Sequence, residues 1–347
     1  MAQCQEVSAF LAGSGALLDV RSPSEHAQGR LPGSRNLPLF DDAERAAVGT
    51  AYKQQGRQQA IQLGLELVGP RLGALAEELR DEDASQPLRL YCWRGGMRSA
   101  SVAWLAETVG REVRLLEGGY KRFRRWVLDA FAREWPLRVL AGRTGTGKTA
   151  LLQALAARGV AVVDLEGLAQ HRGSSFGGLG LPPQPSSEQF ENRLALALHA
   201  HRDAPEIWLE AESAQIGRCR LPLSLFRSMG QAPTLEILRP RAWRLDQLVS
   251  DYGHHPPDQL REATLRIQRR LGPQRTAMAL TAIDSGCWAE AAEPMLAYYD
   301  RCYDHELQRR PKPDSIDLEG LPAAAAAELL IRRGHCHSGS GSTEKAP

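Results

Sequence analysis

The sequence contains no apolar run approaching the roughly 18 residues that a membrane-spanning helix needs. Its first ten residues include Glu6 and lack the basic, then apolar, pattern of a signal peptide. Cysteines are few and scattered, without a Cys-x-x-Cys pair, at positions 4, 92, 219, 287, 302 and 336. This scarcity argues against a disulfide framework or a zinc site and favours a reducing compartment. We therefore expect a cytoplasmic protein that makes no contact with a membrane.

A large excess of either charge is also absent, because 43 basic residues face 41 acidic ones and the formal net charge is +2. Any nucleic-acid contact must therefore come from local patches. Two basic stretches qualify, Lys121 to Arg125 and Arg261 to Arg270. Each could hold RNA phosphates or could simply be a solvated helix face. The length of 347 residues indicates two domains, each large enough for its own core.

The most informative stretch surrounds Cys92. The apolar run 88–91 is typical of a buried strand, and Gly95 and Gly96 favour a loop after it. Ser99 is a suitable N-cap for a following helix, whose apolar positions recur at Val102, Leu105 and Val109. Cys92 is therefore predicted at the tip of a strand, on a loop that leads into a helix N-terminus.

This position suits a reactive thiolate. Loop amides and the helix dipole favour negative charge, and Arg94 and Arg98 add two positive charges. The predicted anion-binding loop comprises Trp93, Arg94, Gly95, Gly96, Met97, Arg98 and Ser99. A buried structural cysteine is the other interpretation. A core position, however, does not need two glycines and two arginines beside it.

A second motif follows the Trp135-Pro136 pair, at which we predict a domain boundary. The strand-like run 137–141 leads into a complete Gly-x4-Gly-Lys-Thr pattern and then a helix, 150–158. Strand, loop and helix in this order are typical of a P-loop, and a chance glycine-rich turn rarely gives all three. The predicted diphosphate-binding residues are Gly142, Arg143, Thr144, Gly145, Thr146, Gly147, Lys148 and Thr149. Lys148 would neutralise the diphosphate, and Thr149 could bind Mg²⁺.

Further strands are predicted at 161–166, 207–210 and 234–238. Alternation of strands with helices implies a parallel sheet covered on both faces. Glu210 and Glu212 stand where the 207–210 strand ends, the usual place of a carboxylate that supports P-loop Mg²⁺. The loop from Gly167 to Ser187 is long enough for a functional lid.

The remaining chain reads as helical. A helix is predicted over 259–271 and another over 289–310, whose tyrosines suit a core better than base stacking. The last predicted element is a disordered tail, 335–347, which is rich in serine and glycine. Its His335-Cys336-His337 run is too compact for a tetrahedral ion, so we predict no metal site there.

The motifs of the N-terminal half together resemble a known family. Asp19-x-Arg21, the turn-rich passage 29–38 and Cys-x-x-Gly-Gly-x-Arg-Ser at Cys92 resemble rhodanese domains. Cys92 to Arg98 spans seven residues, whereas sulfur-transfer rhodaneses usually have six, and seven also matches rhodanese-related phosphatases. The longer loop suggests a larger ligand, such as a phosphate-like oxyanion. Plain rhodaneses lack the segment 41–80, where a predicted helical face carries Leu65, Val68, Leu72, Leu75 and Leu79.

The whole chain resembles the tRNA 2-selenouridine synthases more narrowly, from about Leu17 to Arg333. Accessory signatures are Val48-Gly49-Thr50-Ala51-Tyr52-Lys53 and His171-Arg172-Gly173-Ser174. The resemblance implies an α/β protein with a rhodanese-like domain, 1–134, and a P-loop NTPase-like parallel-sheet domain with a helical C-terminal part, 135–334. In that family an acidic residue is common at the position of Ala211, so Glu210 and Glu212 both stay candidates.

The resemblance also implies an activity. The substrate would be tRNA carrying 2-thiouridine at the wobble position, with geranyl diphosphate and selenophosphate as co-substrates. The P-loop would hold geranyl diphosphate while the sulfur is geranylated, with Lys148, Arg143 and Mg²⁺ stabilising the leaving diphosphate. Cys92 would accept selenium from selenophosphate and deliver it to C2. A selenophosphate-supplying enzyme is the expected partner.

Three alternatives stay open from the residues alone. The first is an ATP-dependent kinase or sulfurtransferase in which the P-loop turns over nucleotide. The second is a rhodanese-type phosphatase, suggested by the seven-residue loop. The third is a tRNA-binding module without catalysis, against which the intact Cys92 and Lys148 argue.

Overall fold

A computed structural model of the chain describes residues 2–307 and 312–336. The chain divides into two compact units, 1–130 and 131–347, and this division lies four residues before the predicted end of the first domain at Glu134. No helix in the described ranges is long and apolar enough to cross a membrane.

The first unit is built on a five-stranded parallel sheet with strand order β1-β5-β4-β2-β3. Its strands are β1 Gln3–Gln5, β2 Leu17–Asp19, β3 Arg35–Asn36, β4 Leu88–Tyr91 and β5 Val113–Leu116. Its helices are α1 Val7–Ala12, α2 Pro23–Gln28, α3 Asp42–Gln54, α4 Arg57–Val68, α5 Leu72–Asp81, α6 Met97–Thr108 and α7 Gly119–Ala130. The order places β4, the strand before Cys92, at the centre of the sheet.

The predicted helical face over 65–79 is wrong in part. A 3-10 turn, Gly69–Arg71, separates α4 from α5 and breaks the helical repeat. Val68, Leu75 and Leu79 are buried in the core, as expected. Leu65 and Leu72 point outward instead and are 63% and 36% exposed.

The second unit contains a four-stranded parallel sheet with strand order β11-β10-β6-β7. Its strands are β6 Leu137–Ala141, β7 Ile207–Glu210, β10 Thr234–Leu238 and β11 Asp314–Asp317, and a short antiparallel pair joins β8 Gln215–Ile216 to β9 Cys219–Arg220. Its helices are α8 Lys148–Ala156, α9 Leu165–Ala169, α10 Ser187–Ala200, α11 Leu223–Gln231, α12 Arg241–Tyr252, α13 Pro257–Arg266, α14 Gln268–Leu271, α15 Pro273–Asp284, α16 Trp288–Leu307 and α17 Ala323–Arg332.

Two predictions in this unit need correction. The strand predicted at 161–166 is reduced to a single bridge between Val162 and Trp208. Asp164 then accepts a hydrogen bond from the Gly167 amide at 2.7 Å, and this N-cap starts α9 in place of a strand end.

The prediction of a disordered tail over 335–347 is wrong for its first two residues. Cys336 is buried in the core cluster that includes Leu330, and burial raises the pKa of its thiol to about 12. The rest of that tail, 337–347, and the last three residues of the predicted 289–310 helix, 308–310, lie outside the described residues.

Candidate active sites

Cys92 directly follows β4, and the turn before α7 holds its loop in place. The Tyr120 amide donates to the Cys92 carbonyl at 2.8 Å, and the Lys121 amide donates to the Trp93 carbonyl at 2.9 Å. Gly119 makes this approach possible, because its φ is +60° and a Cβ there would lie 2.4 Å from the Cys92 carbonyl oxygen. The first residues of α7 thus hold the Cys92 loop through backbone contacts.

The Cys92 thiol is buried, with 3% of the residue exposed. Its sulfur accepts a hydrogen bond from the Gly96 amide at 3.3 Å and lies 3.2 Å from the Ser99 hydroxyl oxygen. Burial by itself would raise the pKa of this thiol. Hydrogen bonds from the Ser99 hydroxyl and from the amides of Ser99, Arg94 and Gly96 outweigh burial, so the pKa is lowered.

The predicted role of Ser99 therefore changes. Helix α6 begins at Met97 with Gly96 as its N-cap, and Ser99 lies inside the first turn. The serine is buried, and its hydroxyl lies beside the Cys92 sulfur and also donates to the carbonyl of the N-cap residue Gly96 at 3.1 Å.

The two arginines of the loop have other contacts in this structure, and their binding of an oxyanion stays a prediction. Arg98 donates to Glu25 at 2.6 Å, so its charge is already paired with a carboxylate of α2. Arg94 is exposed, and it is its backbone amide that helps to lower the pKa of Cys92. Trp93 and Met97 are exposed at 37% and 50% and give the loop an apolar outer face.

A buried ion pair supports the Cys92 loop from below and explains the Asp-x-Arg motif. Arg21 is 1% exposed and donates to Asp19 at 2.6 Å and to the Gly29 carbonyl at 2.7 Å. Its guanidinium carbon lies 3.8 Å from the centre of the Tyr120 ring. Because Tyr120 also holds the Cys92 carbonyl, the pair fixes the turn on which the loop rests.

The P-loop connects β6 to α8, which begins at Lys148. Lys148 donates to the Gly142 carbonyl at 2.8 Å, and the buried Thr146 hydroxyl donates to the Arg143 carbonyl at 2.8 Å. The Arg143 guanidinium is bound to Asp304 at 2.8 Å, so a diphosphate would have to compete with that carboxylate.

Helix α12 forms the outer support of the P-loop, a role that its sequence did not indicate. Arg244 is buried, donates to the Thr144 carbonyl at 2.9 Å and pairs with Asp300. Gly145 has φ +80°, and a Cβ there would lie 2.6 Å from the Arg244 carbonyl oxygen. The loop can therefore reach this helix only with glycine at position 145.

The carboxylate in contact with Thr149 is Glu166, which sequence reasoning missed. The Thr149 hydroxyl donates to Glu166 at 2.8 Å, and the Glu166 amide donates to Glu210 at 2.7 Å. Glu166 stands at the end of the run predicted as a strand parallel to 207–210. That placement beside another strand end is the signal that could have identified it.

Glu210 and Glu212 lie close to Glu166, whose negative charge disfavours their ionised forms. Glu210 is fully buried, and burial together with Glu166 and Asp164 raises its pKa to about 8. Burial, Glu166 and Glu210 also raise the pKa of Glu212 well above its usual range, although Lys148 opposes this. Within the described ranges, no three His, Cys, Asp or Glu side chains are grouped to hold a metal ion by themselves.

The long loop after α9 is fastened to the helical region. Ser175 donates to the Ala263 carbonyl at 2.7 Å, and Arg266 donates to the Ser175 carbonyl at 2.8 Å. Arg172 lies over the Tyr252 ring at 5.7 Å. His171 is half-buried, and burial together with Arg266 lowers its pKa. Ser175 and Arg172 therefore hold the loop against α13 and α12.

A small apolar cavity adjoins the P-loop within the second unit. Thr144 of the P-loop forms part of its wall, and nearly all the remaining wall is apolar. The cavity lining includes Phe176, Val249, Tyr252, Leu260, Trp288 and Met295. Its surface offers few polar groups that could recognise a nucleotide base.

The comparisons with known proteins place both units in described families. Residues 4–125 match the model of the rhodanese-like domain, and residues 135–320 match that of the tRNA 2-selenouridine synthase AAA domain. These matches, together with the two parallel sheets, confirm the predicted fold class.

Individual relatives match over most of the chain. A tRNA 2-selenouridine synthase of Alcanivorax borkumensis is 39% identical, with 95% of this chain and 99% of the relative covered. That of Marinobacter nauticus is 37% identical, with 88% and 91% covered. A solved N-terminal domain of a Clostridium difficile 630 protein, described as ATP/GTP binding, is 34% identical over 36% of this chain and 99% of that domain, but its TM-score of 0.35 supports no conclusion.

Proposed function

This chain belongs to the tRNA 2-selenouridine synthase family, and we propose that it is an enzyme that replaces sulfur by selenium in wobble 2-thiouridine of tRNA. The observation that carries the proposal is the Cys92 thiol, which hydrogen bonds keep acidic within a rhodanese-like loop, in one chain with a complete P-loop. We place the activity in the cytoplasm, where tRNA and a selenophosphate-supplying enzyme would both be present.

The first proposed step is S-geranylation from geranyl diphosphate. The thiocarbonyl sulfur forms a bond to the allylic carbon, the carbon–oxygen bond breaks, and diphosphate departs with the electron pair. Lys148 and the loop amides would stabilise the leaving diphosphate. The cavity beside Thr144 has a volume of only about 60 Å³, so it could take part of an isoprenyl chain, and its described lining offers apolar contacts instead of hydrogen bonds to a base.

The residues around Thr149 fit a magnesium ion bound together with a diphosphate. The Thr149 hydroxyl and the Glu166 carboxylate are 2.8 Å apart, and Glu210 contributes a buried oxygen, Oε2, that has no hydrogen-bond partner in the described part of the chain. When bound, Mg²⁺ would neutralise charge on the diphosphate. Diphosphate and water would supply most of its ligands.

The second proposed step brings selenium from selenophosphate to C2 through Cys92. Alkylation makes the sulfur a thiolate leaving group, so the Cys92 thiolate can form a bond to C2 while the C2–S bond to the alkylated sulfur breaks and geranylthiol departs. Selenium of selenophosphate then forms the C2–Se bond while the bond from C2 to the Cys92 sulfur breaks, and water takes up the phosphoryl group as the Se–P bond breaks. With water, the overall exchange gives 2-selenouridine, geranylthiol and phosphate, and no oxidant is required. The phosphatase alternative gains no support, because Arg98 is engaged with Glu25.

Mass spectrometry of wobble nucleosides tests this proposal in cells. We expect tRNA from cells that lack this protein to retain 2-thiouridine and to contain no 2-selenouridine. Expression of the wild-type chain should restore selenouridine, and Cys92→Ser should not. Selenouridine at the wild-type level in the deleted cells would contradict the proposed function.

A further inference from the structure

An open apolar groove in the first unit begins at the Cys92 loop. Its walls are α3, α4 and α6, its volume is about 510 Å³, and its lining includes Met97 and Arg98, the first residues of α6 after the Cys92 loop. We call it the α4–α6 groove. It includes five of the twelve large apolar side chains that are exposed in the described ranges, namely Tyr52, Leu65, Leu72, Met97 and Trp104. Such a concentration of exposed apolar surface is typical of a binding site.

The groove is preformed. Gly64 forms part of its floor, where a Cβ would lie 3.3 Å from the Phe40 ring, so the absence of a side chain gives the groove its depth. Arg71 donates to Glu44 at 3.0 Å and to the Leu39 carbonyl at 2.6 Å, which ties the turn after α4 to the start of α3. The turn at 69–71 is also what points Leu72 outward, into the groove.

The rest of the chain offers little to fill this groove. The two longer stretches outside the described residues, 308–311 and 337–347, contain no Leu, Ile, Val, Met or aromatic residue. Met97 and Arg98 belong both to the predicted anion-binding loop and to the groove lining, so a ligand held at the Cys92 loop can extend into the groove. Arg57 adds an exposed cation to the lining, which suits the phosphates of an RNA ligand better than a purely apolar partner.

We propose that the α4–α6 groove binds the alkyl chain on the sulfur of the tRNA intermediate while Cys92 acts at C2. This inference rests on the proposed function, which supplies an S-geranylated base as the substrate of the second step. The chain is attached to the sulfur that departs, so it must extend away from the reacting carbon. The α4–α6 groove, lined by Met97 and Arg98 next to the reactive loop, accommodates such a chain, and its volume lies in the range of small-molecule sites.

The chain-length dependence of selenation tests the inference. The full-length enzyme would receive selenophosphate and anticodon stem-loops that carry either S-geranyl- or S-methyl-2-thiouridine. The wild type should show a lower KM for the geranyl substrate, because only that chain fills the groove. Leu65→Gln and Trp104→Gln alter groove residues that are 63% and 62% exposed, so the fold should tolerate both changes. Each should raise the geranyl KM about tenfold and leave kcat and the methyl KM unchanged.

Two further variants complete the design. Ala100→Trp would fill the groove with an apolar side chain and should also raise the geranyl KM. The matched control is Leu128→Gln, at a position of α7 that is 50% exposed and outside the groove, and it should behave like the wild type.

Each contrary outcome has its own meaning. If the groove variants keep the wild-type preference for the geranyl substrate, the groove does not bind the alkyl chain. If they weaken both substrates equally, or change the oligomeric state, the groove is a docking face and the inference is overturned. If the wild type selenates neither substrate, the proposed function itself fails and the inference fails with it.

Discussion

At Cys92, two effects act on the thiol in opposite directions. Burial disfavours the thiolate, whereas the Ser99 hydroxyl and three loop amides stabilise it. Ser99 is therefore the residue whose side chain helps to lower the pKa of Cys92. Its place inside the first turn of α6 makes the helix N-terminus part of the sulfur's environment.

Ser99→Ala should slow the alkylation of Cys92 at neutral pH several-fold. Loss of the hydroxyl removes one bond to the thiolate, so the pKa of Cys92 rises and less thiolate is present at a given pH. Peptide-resolved mass spectrometry after iodoacetamide treatment at a series of pH values would follow Cys92 apart from the exposed Cys4, Cys287 and Cys302. Ser101→Ala, on the exposed side of α6, is the control. An unchanged pH profile in Ser99→Ala would remove the serine from this role.

Glu210 gives the protein a predictable pH dependence of stability. Its pKa is raised to about 8, above its unfolded value, so the folded state binds the extra proton. Stability linked to this group is fully present below about pH 4.5 and is lost as the pH rises toward 8. Glu210→Gln removes this loss, and the side-chain oxygen of the glutamine can still accept the hydrogen bond from the Glu166 amide. The difference in melting temperature, variant minus wild type, should therefore be larger at pH 8 than at pH 5 by about 3 °C or more.

The control for this experiment is Glu290→Gln, at an exposed position of α16. Its melting temperature relative to wild type should not change between the two pH values. A Glu210→Gln difference that is equally pH-independent would show that Glu210 is ionised in the folded protein.

At the scale of the elements, the sequence predicts a segment correctly where the residues of that segment determine its structure. Strand β4, the loop after it and the P-loop follow from apolar runs and glycines, and all three are observed. Helix α9 was not predicted, because it starts at an N-cap, Asp164, that lies inside an apolar run typical of a strand. The partner of Arg98 could not be predicted, because Glu25 lies 73 residues away in the sequence. The outward turn of Leu65 and Leu72 depends on the break at 69–71, which the periodicity alone did not reveal.

The contact between the P-loop and α12 can be tested by replacing Gly145, with Gly159 as the control position. Gly145→Ala combines positive φ with a Cβ placed 2.6 Å from the Arg244 carbonyl, so the loop or the helix must move. Gly159→Ala has the same kind of strain, with φ +82°, but no atom within 4 Å of the added Cβ. Gly159→Ala should cost about 1–2 kcal/mol of stability and leave the affinity for inorganic diphosphate intact. Gly145→Ala should abolish diphosphate binding in isothermal titration, and equal affinity in both variants would contradict the role given to α12.

At the scale of the whole molecule, the chain joins two units with different chemistry. The first presents an acidic thiol at the centre of a parallel sheet, and the second presents a P-loop with a carboxylate cluster and an apolar cavity. We propose that the second unit alkylates the sulfur and that the first delivers selenium. Family membership supports selenouridine formation, whereas this division of labour is the central proposal.

The most direct measurement follows each step separately in Lys148→Ala and Cys92→Ser, with mass spectrometry of the wobble nucleoside. The Lys148 variant should fail to geranylate 2-thiouridine tRNA, because no other group replaces the ammonium at the diphosphate. Given tRNA that is already S-geranylated, it should still deliver selenium. Cys92→Ser should do the opposite and accumulate the S-geranyl intermediate. Normal geranylation by Lys148→Ala, or geranyl transfer that requires ATP hydrolysis, would contradict the account.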